Sequence, residues 1–259
     1  MLLALALLAT GLVAGILGAL LGLGGGIFLV PALTLIFGLP IRTTVGTSLV
    51  AVIATSAGVA AVAPAGRGAD VSLALRLEVA TAVGALAGGL AAGMISPQLL
   101  SILFALVVFL TAGYMFFKSR KKPAGDKPEK LFRQDYTPHH WPAGLSVAGL
   151  AGMISGLLGV GGGFIKVPTM YAVMGVPLGI ATATSNFMVG ITAAASVFIY
   201  YGRGDIHPLV VIPTALGVFA GAIVGVYILP KVRISWLRLA LIGLLVLMGV
   251  QMLLKGLNG

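Results

Sequence analysis

The sequence contains no cysteine, three histidines and six acidic residues in a chain of 259. Without cysteine it can form no disulfide, thiol nucleophile or thiolate metal site. The three histidines (His139, His140 and His207) leave little room for metal chemistry, and neither H-E-x-x-H nor G-x-S-x-G occurs. We therefore expect no metal, no cofactor and no catalytic residue, and a protein that is not an enzyme.

Charge is also scarce, because 8% of the residues are charged, against roughly 25% in soluble domains. Hydrophobic residues make up 59% of the chain, and the mean hydropathy is +1.13. This composition predicts an all-α polytopic membrane protein. The net charge of +10 does not indicate nucleic-acid binding, since the basic residues form no face interleaved with aromatic ones.

Seven of the sixteen basic residues crowd into one polar stretch, residues 118–141. Its prolines and charges exclude it from hydrocarbon, and its lysines and arginines predict a cytoplasmic connector that contacts anionic lipid headgroups. A regulatory or partner-binding role is the alternative. The stretch separates two halves, a first transmembrane repeat over residues 1–117 and a second over residues 142–259.

The two halves repeat the same motif, GALLGLGGGIFLVP at residues 18–31 and SGLLGVGGGFIKVP at residues 155–168. The correspondence continues beyond the motif, for example from Ala87-Gly88 to Ala220-Gly221, which indicates an internal duplication. The apolar start of the chain could be mistaken for a secretory signal. It lacks a basic region and is matched inside the chain, so we expect a retained helix.

Each half contains four apolar runs long enough to cross a membrane and one short run, at residues 27–38 or 164–175. A helix of that length rises about 18 Å, whereas a bilayer core is about 30 Å thick. If the short run completes a crossing, each half crosses five times and the repeats are inverted. If it does not, each half crosses four times and the repeats are parallel. The distribution of Lys and Arg and the frequency of inverted repeats in transporters favour inversion.

The glycine triplets predict helix breaks at membrane depth, because glycine allows backbone conformations that are closed to other residues. Pro31 and Pro168 would suit the first turn of the restarted helix. The free N–H groups of that turn favour an anion, so the triplets are candidate substrate-binding residues. Close helix packing is the competing interpretation. The candidates are Gly24, Gly25, Gly26, Gly161, Gly162 and Gly163.

Polar residues follow each motif and complete the candidate substrate site. They are Thr47 and Ser48 in the first half and Thr184, Ser185 and Asn186 in the second. The hydroxyls could coordinate the substrate or bond backbone carbonyls one turn earlier, and Asn186 is costly to bury unpaired. Lys166, opposite Leu29, either favours the anion or snorkels to an interface. Glu78 is the one carboxylate predicted inside a span.

The duplicated pattern G-x-L-L-G-x-G-G-G-x-x-x-V-P, followed by G-T-S or A-T-S, resembles the TauE/SafE family of sulfite exporters. The resemblance covers nearly the entire chain. It implies a multi-pass transporter of the cytoplasmic membrane that moves small sulfur-containing anions, such as sulfite or organosulfonates, generally outward. A secondary transporter working by alternating access is the main expectation, and an anion channel is the alternative. The sequence allows a homo-oligomer.

Overall fold

The computed structural model describes residues 2–22, 24–62, 69–120, 136–228 and 234–258. These ranges contain helices and no strand, and the predicted connector lies largely outside them, at residues 121–135. The ten α-helices are α1 (Leu2–Leu21), α2 (Gly26–Leu35), α3 (Ile41–Val62), α4 (Val71–Met94), α5 (Pro97–Arg120), α6 (Trp141–Leu158), α7 (Gly163–Pro168), α8 (Leu178–Gly202), α9 (Pro208–Ile228) and α10 (Ile234–Asn258).

Seven helices of the described ranges are long and apolar enough to cross a membrane. Long apolar runs fold this way because a helix satisfies every backbone group within one segment, as a bilayer demands. The predicted all-α polytopic class is confirmed. Helix boundaries follow local signals, as at α4, where the side chain of Asp70 accepts a hydrogen bond of 2.9 Å from the N–H of Leu73.

Glycines bring two pairs of helices into close contact. Helix α1 packs along α9, and a methyl group at Gly11 would overlap the carbonyl oxygen of Thr214. Helix α4 packs along α6 in the same way, and a methyl group at Gly88 would overlap the carbonyl oxygen of Met153. Small residues at such contacts let membrane helices approach closely.

The register of these contacts gives the directions of the helices. In both pairs the residue numbers rise together along the contact, so each pair is parallel. Helix α4 ends beside Arg42, whose Nη2 donates to the carbonyl oxygen of Ile95 at 2.8 Å. Helix α9 begins at the same end, since His207 and Arg42 line one cavity. The corresponding helices α4 and α9 therefore run in opposite directions, which supports the inverted arrangement, and we retain inversion as a proposal.

The two ends of the bundle can be named by their residues. The Arg42 face carries Arg42, Ile95, Asp205 and His207, and the Asp70 face carries Asp70 and Tyr136. At the Asp70 face the hydroxyl of Tyr136 donates to Asp70 Oδ2. The described end of the connector, which Tyr136 begins, is therefore tied to the Asp70 face.

The short helices α2 and α7 differ in one respect from the sequence prediction. Pro31 and Pro168 lie at the sixth residue of their helices, beyond the first turn. A proline at this position removes a backbone hydrogen bond. After Pro168 the chain continues as a π-helical turn, Thr169–Val173, in which the N–H of Met174 donates to Thr169 O at 3.1 Å. Such a turn accommodates an interrupted helix.

Candidate functional site

Each glycine motif breaks a helix at equivalent positions. Gly24 and Gly25 have φ of 79° and 75°, and Gly161 and Gly162 have φ of 80° and 71°. These left-handed values strongly favour glycine. Gly26 and Gly163 then begin α2 and α7. The third and fourth N–H groups of each helix donate to the carbonyl oxygen of Gly25 or Gly162, whereas the first two have no acceptor within the helix.

The breaks of the two halves meet inside the bundle. A methyl group at Gly26 would overlap the carbonyl oxygen of Gly159, and Ser48 Oγ donates to the same oxygen at 2.7 Å. On the other side, a methyl carbon at Gly22 would lie 3.0 Å from Thr182 Cγ2 and 3.6 Å from Asn186 Oδ1. Each break therefore packs against the long helix that follows the break of the other half.

The four candidate hydroxyls have different environments, although all are fully buried. Ser48 bonds Gly159, and Thr184 Oγ1 accepts a hydrogen bond of 2.9 Å from the N–H of Asp70. Thr184 thus stabilises the start of α4. Thr47 Oγ1 and Ser185 Oγ have no hydrogen-bond partner among the described residues. A buried hydroxyl without a partner is unfavourable, so these two groups retain hydrogen-bonding capacity that no described residue uses.

Asn186 lies at the edge of the same region. Its side chain is partly exposed, and its backbone carbonyl accepts a hydrogen bond of 2.7 Å from Ser56 Oγ, which joins α8 to α3. The side chain faces Gly22 at the first break. Its position in the second half is occupied in the first half by Leu49, so this amide makes the two sides of the site unequal.

Lys166 lies in the first turn of α7 and is only 2% exposed. Its Nζ donates to Thr192 Oγ1 at 2.7 Å and lies 3.8 Å from Glu78 Oε2. The hydroxyl of Thr192 also lies 2.7 Å from Glu78 Oε1. The side chain therefore does not snorkel to an interface but joins a buried cluster of Lys166, Thr192 and Glu78, which we call the ion-pair cluster.

A cavity of about 530 Å³ opens at the Arg42 face. Lys255 Nζ donates to the carbonyl oxygen of Thr34 at 3.0 Å, next to the end of α2. Arg203 neutralises Asp205 through a 2.9 Å ion pair, so Arg42 and Lys255 leave the cavity positive. The polar residues that line it include Arg42, Thr43, Ser101, Asp205, His207 and Lys255.

Sequence reasoning missed parts of this arrangement. It identified Lys166 and Glu78 separately but did not pair them, and it did not single out Thr192 or Ser155, whose buried Oγ has no partner among the described residues. Charge balance was the available signal, since an intramembrane lysine needs a nearby acid. Within the described ranges, no three His, Asp or Glu side chains are grouped as metal ligands.

Comparison with known proteins covers nearly the whole chain. Residues 7–252 match the model of the family described as sulfite exporter TauE/SafE. The chain is 25% identical over 265 residues to the probable membrane transporter protein YunE of Bacillus subtilis, with 96% of this chain and 97% of that protein covered. It is 27% identical over 269 residues to the probable membrane transporter protein MJ0441 of Methanocaldococcus jannaschii, with 96% and 94% covered. No solved structure matches.

Proposed function

Since the chain belongs to the sulfite exporter TauE/SafE family, we propose that it is a secondary transporter that exports sulfite or organosulfonates across the cytoplasmic membrane by alternating access. The family match confirms the resemblance carried by the glycine motifs. Membership and the apolar helices make the protein a multi-pass membrane protein of a transporter family. The substrate, the direction and the mechanism are our proposal.

The observation that carries the proposal is the meeting of the two breaks. Gly26 at the start of α2 abuts Gly159 at the end of α6, so helix ends from both halves lie together inside the protein. The first-turn N–H groups of a helix favour an anion. Thr47 and Ser185 add two hydroxyls without partners. Sulfite and sulfonate groups carry several acceptor oxygens, which such donors suit.

The residues that the sequence predicts for the substrate site therefore divide into two groups, those that would contact the anion and those that would position the helices around it. Ser185 and Thr47 would donate to the anion directly, together with the first two N–H groups of α2 and of α7. Asn186 would bind it from one side only. Ser48 and Thr184, which are already hydrogen-bonded, would hold the surrounding helices in place.

The cavity at the Arg42 face would give the anion access to this site. Arg42 and Lys255, which form no ion pair with any described residue, would raise the local concentration of anions. The basic connector joins the bundle at the Asp70 face and would lie in the cytoplasm. The cavity would then open to the outside. The conformation with this open cavity would be one of two that expose the anion site to opposite sides of the membrane in turn.

Proteoliposomes test the proposal. Purified protein should take up radiolabelled sulfite well above empty liposomes, and unlabelled organosulfonates should compete more strongly than chloride. The double variant Thr47→Val with Ser185→Ala should reduce uptake about tenfold or more, because two donors to the anion are lost. Ser146→Ala, which removes an exposed hydroxyl bonded to Pro142, should leave uptake unchanged.

Folded protein that moves no sulfur-containing anion would overturn the proposed function. If the double variant keeps the uptake rate of the wild type, the anion site does not lie at the two breaks.

A further inference from the structure

The ion-pair cluster is the one buried pair of opposite charges that the described residues hold inside a predicted span. We propose that Glu78 binds a proton whenever Lys166 is released to the transported anion, so that one proton and one anion are carried together. The inference rests on the proposed function and adds its coupling ion. The proton would come from the aqueous phase to which the site is open and leave with the anion on the other side.

The carboxylate of Glu78 is incompletely satisfied. Glu78 is 4% exposed, its Oε1 accepts from Thr192, and its buried Oε2 has no hydrogen-bond partner among the described residues. The separation of 3.8 Å between Oε2 and Lys166 Nζ is long for a charge-assisted hydrogen bond, which is about 2.8 Å. A buried carboxylate in this state depends on Lys166 to remain charged.

Thr192 can serve both protonation states of Glu78. A threonine hydroxyl has one proton but can accept two hydrogen bonds, and Thr192 Oγ1 lies 2.7 Å from Glu78 Oε1 and 2.8 Å from the carbonyl oxygen of Met188. When Glu78 is ionised, Thr192 donates to Oε1. When Glu78 is protonated, Glu78 donates to Thr192, which turns its own proton to Met188. No atom of the backbone has to move.

Lys166 connects this proton site to the proposed anion site. It belongs to the first turn of α7, where its N–H donates to Gly162 O at 3.1 Å directly after the second glycine break. One ammonium group can neutralise either Glu78 or an anion bound at the break. Protonation of Glu78 frees Lys166 for the anion, and anion binding in turn favours protonation, because such coupling is reciprocal.

The other charged and titratable groups nearby are occupied elsewhere. Helix α6, packed against α4, carries no charged residue between Trp141 and Leu158. On α8, the hydroxyl of Tyr200 donates to the carbonyl oxygens of Gly156 and Leu157. Arg203, just after α8, donates to the carbonyl oxygen of Gly89 and pairs with Asp205. On α4 itself, the guanidinium of Arg76 lies 5.4 Å from the ring centre of Trp141.

Among the described residues, the positions of the first half that correspond to Lys166 and Thr192 form no equivalent ionic contact. Leu29 stands at the position of Lys166, and Thr55, at the position of Thr192, donates to the carbonyl oxygens of Gly24 and Ala51 at 3.2 and 3.1 Å. This threonine thus bonds only backbone groups, as a purely structural hydroxyl would. Glu78 of the first half and Lys166 of the second form a single buried charge pair among the described residues, so one proton per transport cycle is the expected stoichiometry.

Proton uptake on anion binding tests the coupling in the unmodified protein. Methanesulfonate is the probe, because it keeps a single negative charge throughout the neutral pH range. Its addition to purified protein in weakly buffered detergent should remove about one proton per bound anion from solution, over the pH range in which its affinity changes. Anion binding without proton uptake at any pH in that range would overturn the inference.

The variant Glu78→Gln tests the assignment to this residue. It imitates the protonated carboxyl, so it should bind methanesulfonate with the acid-range affinity of the wild type at every pH and take up no proton. The wild type should lose affinity about tenfold or more from acidic to alkaline pH. Thr81→Val, which removes a hydroxyl bonded to Leu77 one turn along α4, should keep the pH dependence of the wild type.

The two hypotheses fail in different ways. Binding and flux of methanesulfonate with no proton movement, or a Glu78→Gln protein that retains the full pH dependence, would refute the proton site and leave the proposed function standing. A wild-type protein that binds no sulfur-containing anion would refute both. The uptake measurement on the wild type decides the question even if Glu78→Gln does not fold.

Discussion

Ser48 donates a hydrogen bond of 2.7 Å to the carbonyl oxygen of Gly159, which ties the long helix α3 of one half to the glycine break of the other. Its equivalent, Ser185, is equally buried and has no partner among the described residues. Two serines that correspond in sequence thus differ in structure. One closes the contact between the halves, and the other leaves a donor free.

This difference predicts that one of two matched substitutions lowers stability and the other weakens substrate binding. Ser48→Ala should lower the free energy of unfolding by about 1 kcal/mol, because the Gly159 carbonyl loses its donor in an apolar interior. Ser185→Ala should change it by less than about 0.5 kcal/mol, since no bond is broken, and should instead weaken sulfite binding. Thermal unfolding in detergent and equilibrium binding measure the two effects. Equal losses of stability would contradict the different roles.

The left-handed glycines predict a second matched pair. Gly24→Ala should lower stability by more than the roughly 1–2 kcal/mol that a left-handed φ requires, because the new methyl group would lie 2.8 Å from Val189 Cγ1. Gly38→Ala should show only the backbone penalty, since Gly38 has φ of 66° and no atom within 4 Å of the new methyl group. Thermal unfolding of both variants provides the comparison, and a Gly24→Ala protein as stable as Gly38→Ala would refute it.

Close helix packing gives a third prediction. Gly88→Ala should lower the free energy of unfolding by about 2 kcal/mol or more, because its methyl group would overlap the carbonyl oxygen of Met153 and push α6 from α4. Gly113→Ala in α5 meets nothing within 4 Å and should be neutral or stabilising by up to about 1 kcal/mol. Denaturant unfolding in mixed micelles measures both. A neutral Gly88→Ala would show that the two helices are not held this closely.

The positive cavity at the Arg42 face predicts a dependence on salt. Uptake of low concentrations of sulfite from that face should slow as salt rises, because the attraction of Arg42 and Lys255 is screened. Lys255→Gln should reduce the slope of uptake rate against ionic strength, whereas Arg76→Gln, near the Asp70 face, should not. Initial uptake rates at several ionic strengths give the slopes. Identical slopes for Lys255→Gln and the wild type would show that the anion does not pass through this cavity.

Much of this architecture could be predicted because its signals are local. Apolar runs bounded by glycine, proline and charge predict helices in a membrane protein, and nine of the ten described α-helices begin and end within a few residues of such runs. The exception is α7, which gives way to a π-helical turn after Pro168. The class is confirmed for this reason. The glycine triplets also act locally, through backbone conformations that side chains disfavour, so a break could be expected at both motifs.

The remaining features depend on contacts between distant parts of the chain. Nothing around Thr184 in the sequence indicates that its hydroxyl accepts a hydrogen bond from the N–H of Asp70 at the start of α4. Its sequence context resembles that of Thr47, whose hydroxyl has no partner among the described residues. Lys166 and Glu78 meet only because α7 and α4 lie on the same side of α8. The sequence predicts Pro31 in the first turn of the restarted helix. Pro31 is instead the sixth residue of α2, beyond the first turn, because α2 begins at Gly26 itself.

Counterflow across proteoliposomes tests the central claim most directly. Vesicles loaded with unlabelled sulfite are diluted into a trace of labelled sulfite, and the label inside is followed over time. If the transporter exposes one anion site alternately to each side, labelled sulfite should accumulate inside the vesicles transiently above its equilibrium level. The reason is that unlabelled sulfite leaving the vesicle and labelled sulfite entering it use the same site. Monotonic equilibration of the label would indicate a channel, and the absence of uptake in folded protein would contradict sulfite transport altogether.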